Sequence, residues 1–476
     1  MDTASIPDTV DARATTLSAS GMTGRFLLLC MGIWLHCADS LMTATIAPAI
    51  VADLQGITYL NWTISLYEVG AIIAGAAAAA LSASCGIRRM FLSATVLYGA
   101  GCALGALAPT MAVLIGARLA QGMGGGVLVS LCYVAVEAWF APALWGRLFG
   151  IEAAVWGAGS LLGPLIGGVF ADVHAWRGAF WVFAAQSALL FALTAWSFPR
   201  SRQFNPPTAR PPTARPRWPA TPLLVLSAGT LLIAEAGTAT NVALAISTGA
   251  TGAILLYVAA RLDRVADPRL LPQQLLDLRH PVGAGLLLVF VVCAATTGFW
   301  VYGPLIAHIL AGTPPLVTGY ILAGEAMAWS LATLAVSSAP AAADRRLIVG
   351  GAVAITVAAL GYTVALPTCS LPGLVMCGLL QGVGFGVCWP AIVQRLIRCS
   401  SPTERSLASA SASTVQRIGY AVGSAAVGIA AGLSGLNVGA SAMAARSAGF
   451  WIFAAFIPLL LVALMSAWRF TAATEK

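Results

Sequence analysis

The sequence predicts an all-α integral membrane protein of fourteen transmembrane helices, arranged as two pseudo-repeated six-helix bundles plus two central extra helices. Three observations carry this: an apolar composition, a series of apolar runs of bilayer-spanning length, and positive charge gathered on one side. Of 476 residues, 59% are hydrophobic and 9% charged, and the mean hydropathy is +0.88. Soluble domains run at about 25% charged, so a water-soluble fold is excluded.

Fourteen apolar stretches each reach about 17 residues or more, enough to cross a hydrocarbon core of about 30 Å. They cover residues 26–51, 60–81, 90–109, 112–135, 148–171, 179–198, 220–238, 240–260, 282–304, 316–338, 347–366, 371–394, 408–432 and 448–469. Each is continuous rather than alternating, which selects helices over barrel strands, because lipid leaves the backbone to satisfy itself. Residues 1–24 are a polar tail carrying three aspartates, without the layout of a secretory signal. The first helix is therefore expected to act as the membrane signal. Two Pro/Arg-rich segments set the domain layout. Residues 199–219 read as a flexible or polyproline-like linker, and 261–281, with "LLPQQLLDL", as a loop holding a short amphipathic interfacial helix. They enclose the two extra spans in 220–260, leaving six spans in 25–198, six in 282–469 and a tail at 470–476.

Charge orients the chain. Of 25 Lys and Arg residues, Arg118 and Arg417 fall inside spans and Arg177 and Arg446 in outer loops; the other 21 fall on the opposite side. By the positive-inside rule that side is cytoplasmic, with both termini there, in a cell inner (plasma) membrane. The net charge of +8 is thus a topology signal; scattered over short loops, it does not point to nucleic acid. Of ten cysteines, nine lie in or beside spans and none forms a CxxC pair, so they read as small core residues. Cys369 alone falls in an outer loop. His36, His174, His280 and His308 lack metal-ligand spacing, and no cofactor or metal constellation is legible. His36 and His308, in the first spans of the two halves, are pH-sensor candidates.

The two outer sets of six repeat one another. Glu68 precedes Arg88 and Arg89 by 20 and 21 residues, as Glu325 precedes Arg345 and Arg346. "QGMGGGV" (121–127) returns as "QGVGFGV" (381–387), and the intervals from glutamate to glutamine are 53 and 56. Two homologous halves are the simplest account, as in transporters that rock one half against the other.

The fifth span, "GIEAAVWGAGSLLGPLIGG" (150–168), holds six glycines and a proline. Glycine costs about 1 kcal/mol in a helix interior and proline about 3. Gly159, Gly163 and Gly167, four residues apart, form one smooth stripe that admits a neighbouring helix closely. Pro164 removes a ladder bond beside it. Gly150 and Gly168 lie off the stripe and suggest only added flexibility.

Charges inside spans mark function, since a central Asp or Arg costs about 2.5–3.5 kcal/mol on insertion scales. Asp39 sits near mid-membrane. Two roles suit it: a proton acceptor that also meets a cationic substrate, or a fixed salt bridge with Arg118. Gln121 lies beside that arginine. Glu68 and Glu325 suit proton or substrate handling, or a helix-to-helix hydrogen bond. Glu235, in the seventh span, lies outside both bundles, while Gln381 and Arg417 are further polar groups within spans, Arg417 expected as a structural anchor. Glu137 and Glu152 are expected at a cytoplasmic turn, solvated or paired with Arg147. Trp34, Trp62, Trp156, Trp300, Tyr302 and Phe385 either line a cavity for flat cations or face lipid.

The chain resembles the major facilitator superfamily over nearly its whole length. Gly150, Gly159, Gly163, Pro164, Gly167 and Gly168 match the fifth-span antiporter motif of drug exporters, G-x8-G-x3-G-P-x2-G-G, position for position. The six-two-six layout is similar to the fourteen-span drug:proton antiporter family. "ADSLMTATIAPAI" (38–50) resembles that family's first-span signature at Asp39, Thr45, Ala47 and Pro48. "RLAQGMGGG" (118–126) resembles the fourth-span motif at Arg118, Gln121, Gly122 and Gly124, and "AWRGAFWVF" (175–183) the entry to span six. The resemblance implies proton-driven export of small amphipathic or cationic compounds, with the antiporter motif at the interface between the halves. It also implies a gating loop at Gly86, Arg88 and Arg89. There the chain departs from the pattern, with Ala83 where an aspartate is usual; Asp344, beside Arg345 and Arg346, is a candidate to compensate. A narrow metabolite or natural-product carrier is the alternative. The expected partners are protons, a lipophilic or cationic small molecule and the bilayer; no partner subunit is legible. A membrane enzyme lacks any nucleophile constellation, and a sensor lacks a soluble domain.

Overall fold

Sixteen α-helices account for most of the structure, a computed structural model describing residues 22–140, 142–198, 220–237, 242–266, 269, 271–336, 339–401, 404–436 and 440–472. They are α1 (Met22–Leu54), α2 (Leu60–Cys85), α3 (Ile87–Ala106), α4 (Met111–Trp139), α5 (Pro142–Asp172), α6 (Trp176–Ser197), α7 (Ala220–Ala236) and α8 (Val242–Asp263). There follow α9 (Pro281–Ala295), α10 (Thr297–Ala311), α11 (Pro315–Val336), α12 (Asp344–Ala365), α13 (Leu371–Arg398), α14 (Arg405–Leu433), α15 (Ala442–Ala454) and α16 (Ile457–Ala472). Among the described residues, ten stretches are long and apolar enough to cross a membrane. Two of these, Pro281–Ala311 and Ala442–Ala472, are broken helices.

The ninth expected span thus runs on to Ala311, with a break at Thr296 whose hydroxyl donates back to the carbonyls of Val292 and Cys293. In the 261–281 loop the expected amphipathic helix is replaced by one 3-10 turn, Gln273–Leu276, which prolines on its N-terminal side keep short. The 199–219 linker lies outside the described residues.

The same packing pairs occur in both halves. In the first, α2 and α3 pack on α4, α1 on α5 and α3 on α6; in the second, α11 and α12 pack on α13, α9 on α14, and α12 on α15 and α16. The two most extensive helix contacts between the halves are α5 with α11 and α2 with α14; α1 also meets α10 and α11. The α7–α8 hairpin lies along only the second of these seams, where Leu223, Leu226 and Ala259 cluster with Ile72 and Ile418.

The glycine stripe of α5 faces α1, inside its own half. A methyl added at Gly163 would stand 2.5 Å from the Ala38 carbonyl oxygen, and one at Gly167 2.8 Å from that of Met42. Gly168, expected to supply only flexibility, instead faces the other half: a methyl there would meet Leu316 of α11 at 2.4 Å, and Pro164 packs against Gly319. One motif therefore serves two contacts, because consecutive residues on a helix turn by about 100°. Gly150 falls within α5.

Gly163→Ala is expected to lower stability by about 1–3 kcal/mol through overpacking against the Ala38 carbonyl. Gly116→Ala, inside α4 where nothing lies within 4 Å, should instead hold or raise the thermal midpoint of the detergent-purified protein, since alanine removes the helix cost of glycine.

Candidate transport site

Glycine on α4 and α13 fixes how close the site-bearing helices come. A methyl at Gly122 would sit 2.0 Å from the Tyr67 carbonyl oxygen, and one at Gly126 2.4 Å from that of Ala71. In the second half, Gly382 and Gly386 stand in the same relation to the carbonyls of Glu325 and Trp329, at 2.0 and 2.4 Å. The two glycine motifs thus hold α2 and α11 alike, with Tyr67 and Glu325 in matching places. The two glutamates therefore differ in register by one residue, about 100° of helix rotation. Glu68 pairs across the seam with Arg417 and Glu325 bonds Gln381 of its own half, while both stand on the wall of one cavity.

In the first half Asp39 and Arg118 form a fully buried ion pair at 2.6 Å. Arg118 also donates to the Thr63 carbonyl at 3.2 Å and to Gln121 Oε1 at 3.1 Å, and lies 4.1 Å over the Tyr67 ring. Gln121 Nε2 donates to Asp39 Oδ1 at 3.3 Å. Taking two charges out of water costs several kcal/mol per ion, and these extra bonds are what a buried pair needs to offset it. Of the two roles open to Asp39, this conformation records the salt bridge.

At the α2–α14 seam, Arg417 Nη1 lies 3.1 Å from Glu68 Oε2 and 3.4 Å from His36 Nε2. His36 Nδ1 is 2.7 Å from Tyr67 Oη, and one turn away Ser65 and Ser424 join their hydroxyls at 2.6 Å. Arg417 is thus the cation of the pair that bridges the halves.

Between the halves lies a cavity of about 20 Å³, enough for one water. Its walls include Glu68, Trp300, Glu325, Trp329, Phe385 and Tyr420. Trp329 stacks on Phe385 at 4.6 Å and Trp300 on Tyr420 at 6.0 Å. Glu325, 4% exposed, accepts from Gln381 Nε2 at 2.6 Å and from Trp300 Nε1 at 3.4 Å. Among the described residues no basic side chain pairs with it. Sequence reasoning reached Trp300 and Phe385 but missed Trp329 and Tyr420. Helical spacing held the signal: Trp329 is four residues from Glu325 and Tyr420 three from Arg417.

Other expected residues lie elsewhere. Trp34 bonds Gln186 at 2.7 Å and Trp156 meets the His36 ring edge-on; neither these nor Trp62 and Tyr302 line the cavity. Glu152, expected to be solvated or paired with Arg147, is buried and accepts from Cys132 Sγ at 3.2 Å, because α5 continues through it against the bundle. The side chains of Glu137, Arg147 and Ala83 fall outside the described ones. Glu235 is exposed on α7. Arg88 donates to the carbonyls of Ala195 and Phe198, both at 3.0 Å, and so ties α3 to the end of α6; Arg89 is exposed. Gly86 has φ 86°, a left-handed turn that favours glycine between α2 and α3. Asp344 is held by Arg398, with Arg395 at 4.0 Å, inside the second half. It is therefore not placed to compensate for Ala83 in the first, and Arg345 and Arg346 are exposed. Among the described residues no group of His, Cys, Asp or Glu is placed to hold a metal ion.

The sequence pattern of the major facilitator superfamily matches residues 29–371. The chain belongs to the major facilitator superfamily. Its membership makes it a multi-pass membrane transporter by family and fold. A probable multidrug-efflux transporter of Mycobacterium tuberculosis is 26% identical over 454 residues, 94% of each chain. Multidrug resistance protein 3 of Bacillus subtilis is 32% identical over 176 residues, 37% of this chain and 34% of its own. Among solved structures, a D-xylose–proton symporter superposes with TM-score 0.67 at 18% identity, covering 96% of this chain and 99% of its own. A bacterial homologue of the human lysosomal transporter Spinster gives 0.65 at 13%, covering 96% and 98%. At these identities the structures show the superfamily fold alone.

Arg118→Gln leaves Asp39 buried without its cation and is expected to cost about 3–5 kcal/mol. Adding Asp39→Asn should restore most of that loss, read as the thermal midpoint of the purified single and double variants.

Proposed function

We propose that this superfamily member is a proton-coupled exporter of small amphipathic or cationic compounds, of the fourteen-span drug:proton antiporter branch. It works by alternating access in the plasma membrane, with both termini cytoplasmic. Counting each broken helix as one crossing gives fourteen, set as two pseudo-repeated six-helix bundles and the α7–α8 pair. The seams α5–α11 and α2–α14 are where the halves rock, with the fifth-span motif at the first and the basic loop residues Arg88, Arg89, Arg345 and Arg346 at the cytoplasmic ends.

One observation carries this reading: Glu325 is a buried carboxylate in an aromatic-walled cavity, between the halves, with no basic partner among the described residues. Such a group needs either a proton or a cation beside it. Stacked rings supply the face a flat cation prefers, worth about 2 kcal/mol or more when desolvated. Exchange of a cation for a proton at Glu325 follows, with Gln381 and Trp300 holding the carboxylate in both states. Asp39, Arg118 and Gln121 then form a second polar centre that couples proton entry to movement of the first half. The M. tuberculosis relative, similar across nearly the whole chain and described as a probable multidrug-efflux transporter, supports the same substrate class.

The test is protein in liposomes under an imposed pH gradient, with proton release followed on addition of a panel of lipophilic cations. Wild type should release protons, and Glu325→Gln and Asp39→Asn should each lose the response by at least about tenfold, about 1.4 kcal/mol. An undiminished response in Glu325→Gln would remove the cavity from the mechanism. Proton movement driven only by a neutral or anionic metabolite would replace the drug exporter with a dedicated carrier.

A further inference from the structure

The seam pair Glu68–Arg417 has a third member that transport by Glu325 does not use. His36 is 3% exposed and sits where α1, α2, α4 and α14 meet. Arginine has only donors, so His36 Nε2 must accept from it. The imidazole is then neutral, with its proton on Nδ1 facing Tyr67 Oη at 2.7 Å. Tyr67 therefore fixes the one tautomer that can hold Arg417.

Among the described residues, the charged and titratable groups recorded around His36 come from four helices. α2 contributes Tyr67 and Glu68, α4 contributes Arg118, α14 contributes Arg417, and α1 itself contributes Asp39 one turn on. α5 presents the Trp156 ring, and α4 also presents Gly125, where a methyl would stand 2.8 Å from Nδ1. Glu68 and His36 touch the same guanidinium nitrogen, at 3.1 and 3.4 Å. A proton on Nε2 would point an N–H at that nitrogen, so the closed seam and an imidazolium exclude one another. When α14 moves off with Arg417, Glu68 is left on α2 without that cation, and His36, which touched the same guanidinium nitrogen, is able to become one.

We propose that His36 is a proton-binding site, filled only when α2 and α14 part, where the proton takes over from Arg417 as the charge partner of Glu68. Acid then opens this seam, and closing it expels the proton. The inference rests on the alternating-access reading above, and deepens it by adding a proton site in the first half separate from Glu325.

The experiment measures the separation of spin labels placed just before α2 and at the end of α14 in nanodiscs, from about pH 8 to about pH 5. The labels replace Tyr59 and Leu433, 50% and 60% exposed, with the accessible Cys85, Cys369 and Cys399 changed to Ser. Wild type should widen as pH falls. His36→Gln, which keeps an acceptor for Arg417 and cannot be protonated, should stay closed throughout. A His36→Gln curve that tracks wild type overturns the proposal, as does a wild-type separation that ignores pH. Nitrogen-15 spectra of His36 in the wild type add a readout independent of the variant: an imidazolium found while the labels report a closed seam also overturns it. Cation-driven proton release from liposomes is read in parallel. If it persists while His36→Gln tracks wild type, this site falls and the exporter stands. If it is absent while the pH-driven widening is lost in His36→Gln, the exporter reading falls and the site stands.

Discussion

The close approach of backbones at Gly122 and Gly382 is the constraint on which the rest of the site depends. Between apolar helices in lipid there is no hydrophobic effect to drive association, so close packing and a few polar contacts must hold them. A helix brought to within a missing methyl of its neighbour's carbonyl can neither slide nor rotate freely. Everything that α2 and α11 display is therefore aimed by what α4 and α13 lack. Tyr67 faces His36 and Glu325 faces Trp300 because the carbonyls of Tyr67 and Glu325 are seated on those glycines.

From that common scaffold the halves diverge chemically. The first spends its buried charge on a closed pair, Asp39 with Arg118, roofed by the Tyr67 ring. The second keeps a carboxylate that only neutral groups attend, Gln381 and Trp300. Between them, Glu68 and Arg417 stitch one half to the other. The ion pair at Asp39 is thus closed within the first half, Glu68 is closed only by the second, and Glu325 is attended by neutral donors alone among the described residues.

Much of this was legible in the sequence. Length and apolarity marked the spans, because lipid permits few alternatives. The glycine motifs and the charges inside spans marked the site, because each is costly without a purpose. What was not legible depends on rotation about helix axes. Glu68 and Glu325 looked equivalent by their distance to the arginines, yet one residue of register sends them to different neighbours. Gly168 looked idle until α11 was seen beside it. Arg417 read as an anchor, and its pairing with Glu68 across 349 residues leaves no local trace. The interruption at Thr296 was hidden in an apolar run, since a one-residue break leaves the hydropathy of the run unchanged.

The α7–α8 hairpin, lying along α2 and α14 but not along α5 and α11, makes the two sides of the molecule mechanically unlike. Parting α11 from the first half separates it from α5 and α1, whereas parting α2 from α14 must also shear the hairpin, where Gly237 packs against both Asn61 and the Ala425 carbonyl. In the rocking motion proposed above one flank is therefore laden and the other bare: the hairpin acts as a spring that the α2–α14 seam must strain in order to part, although among the described residues it lines no part of the cavity.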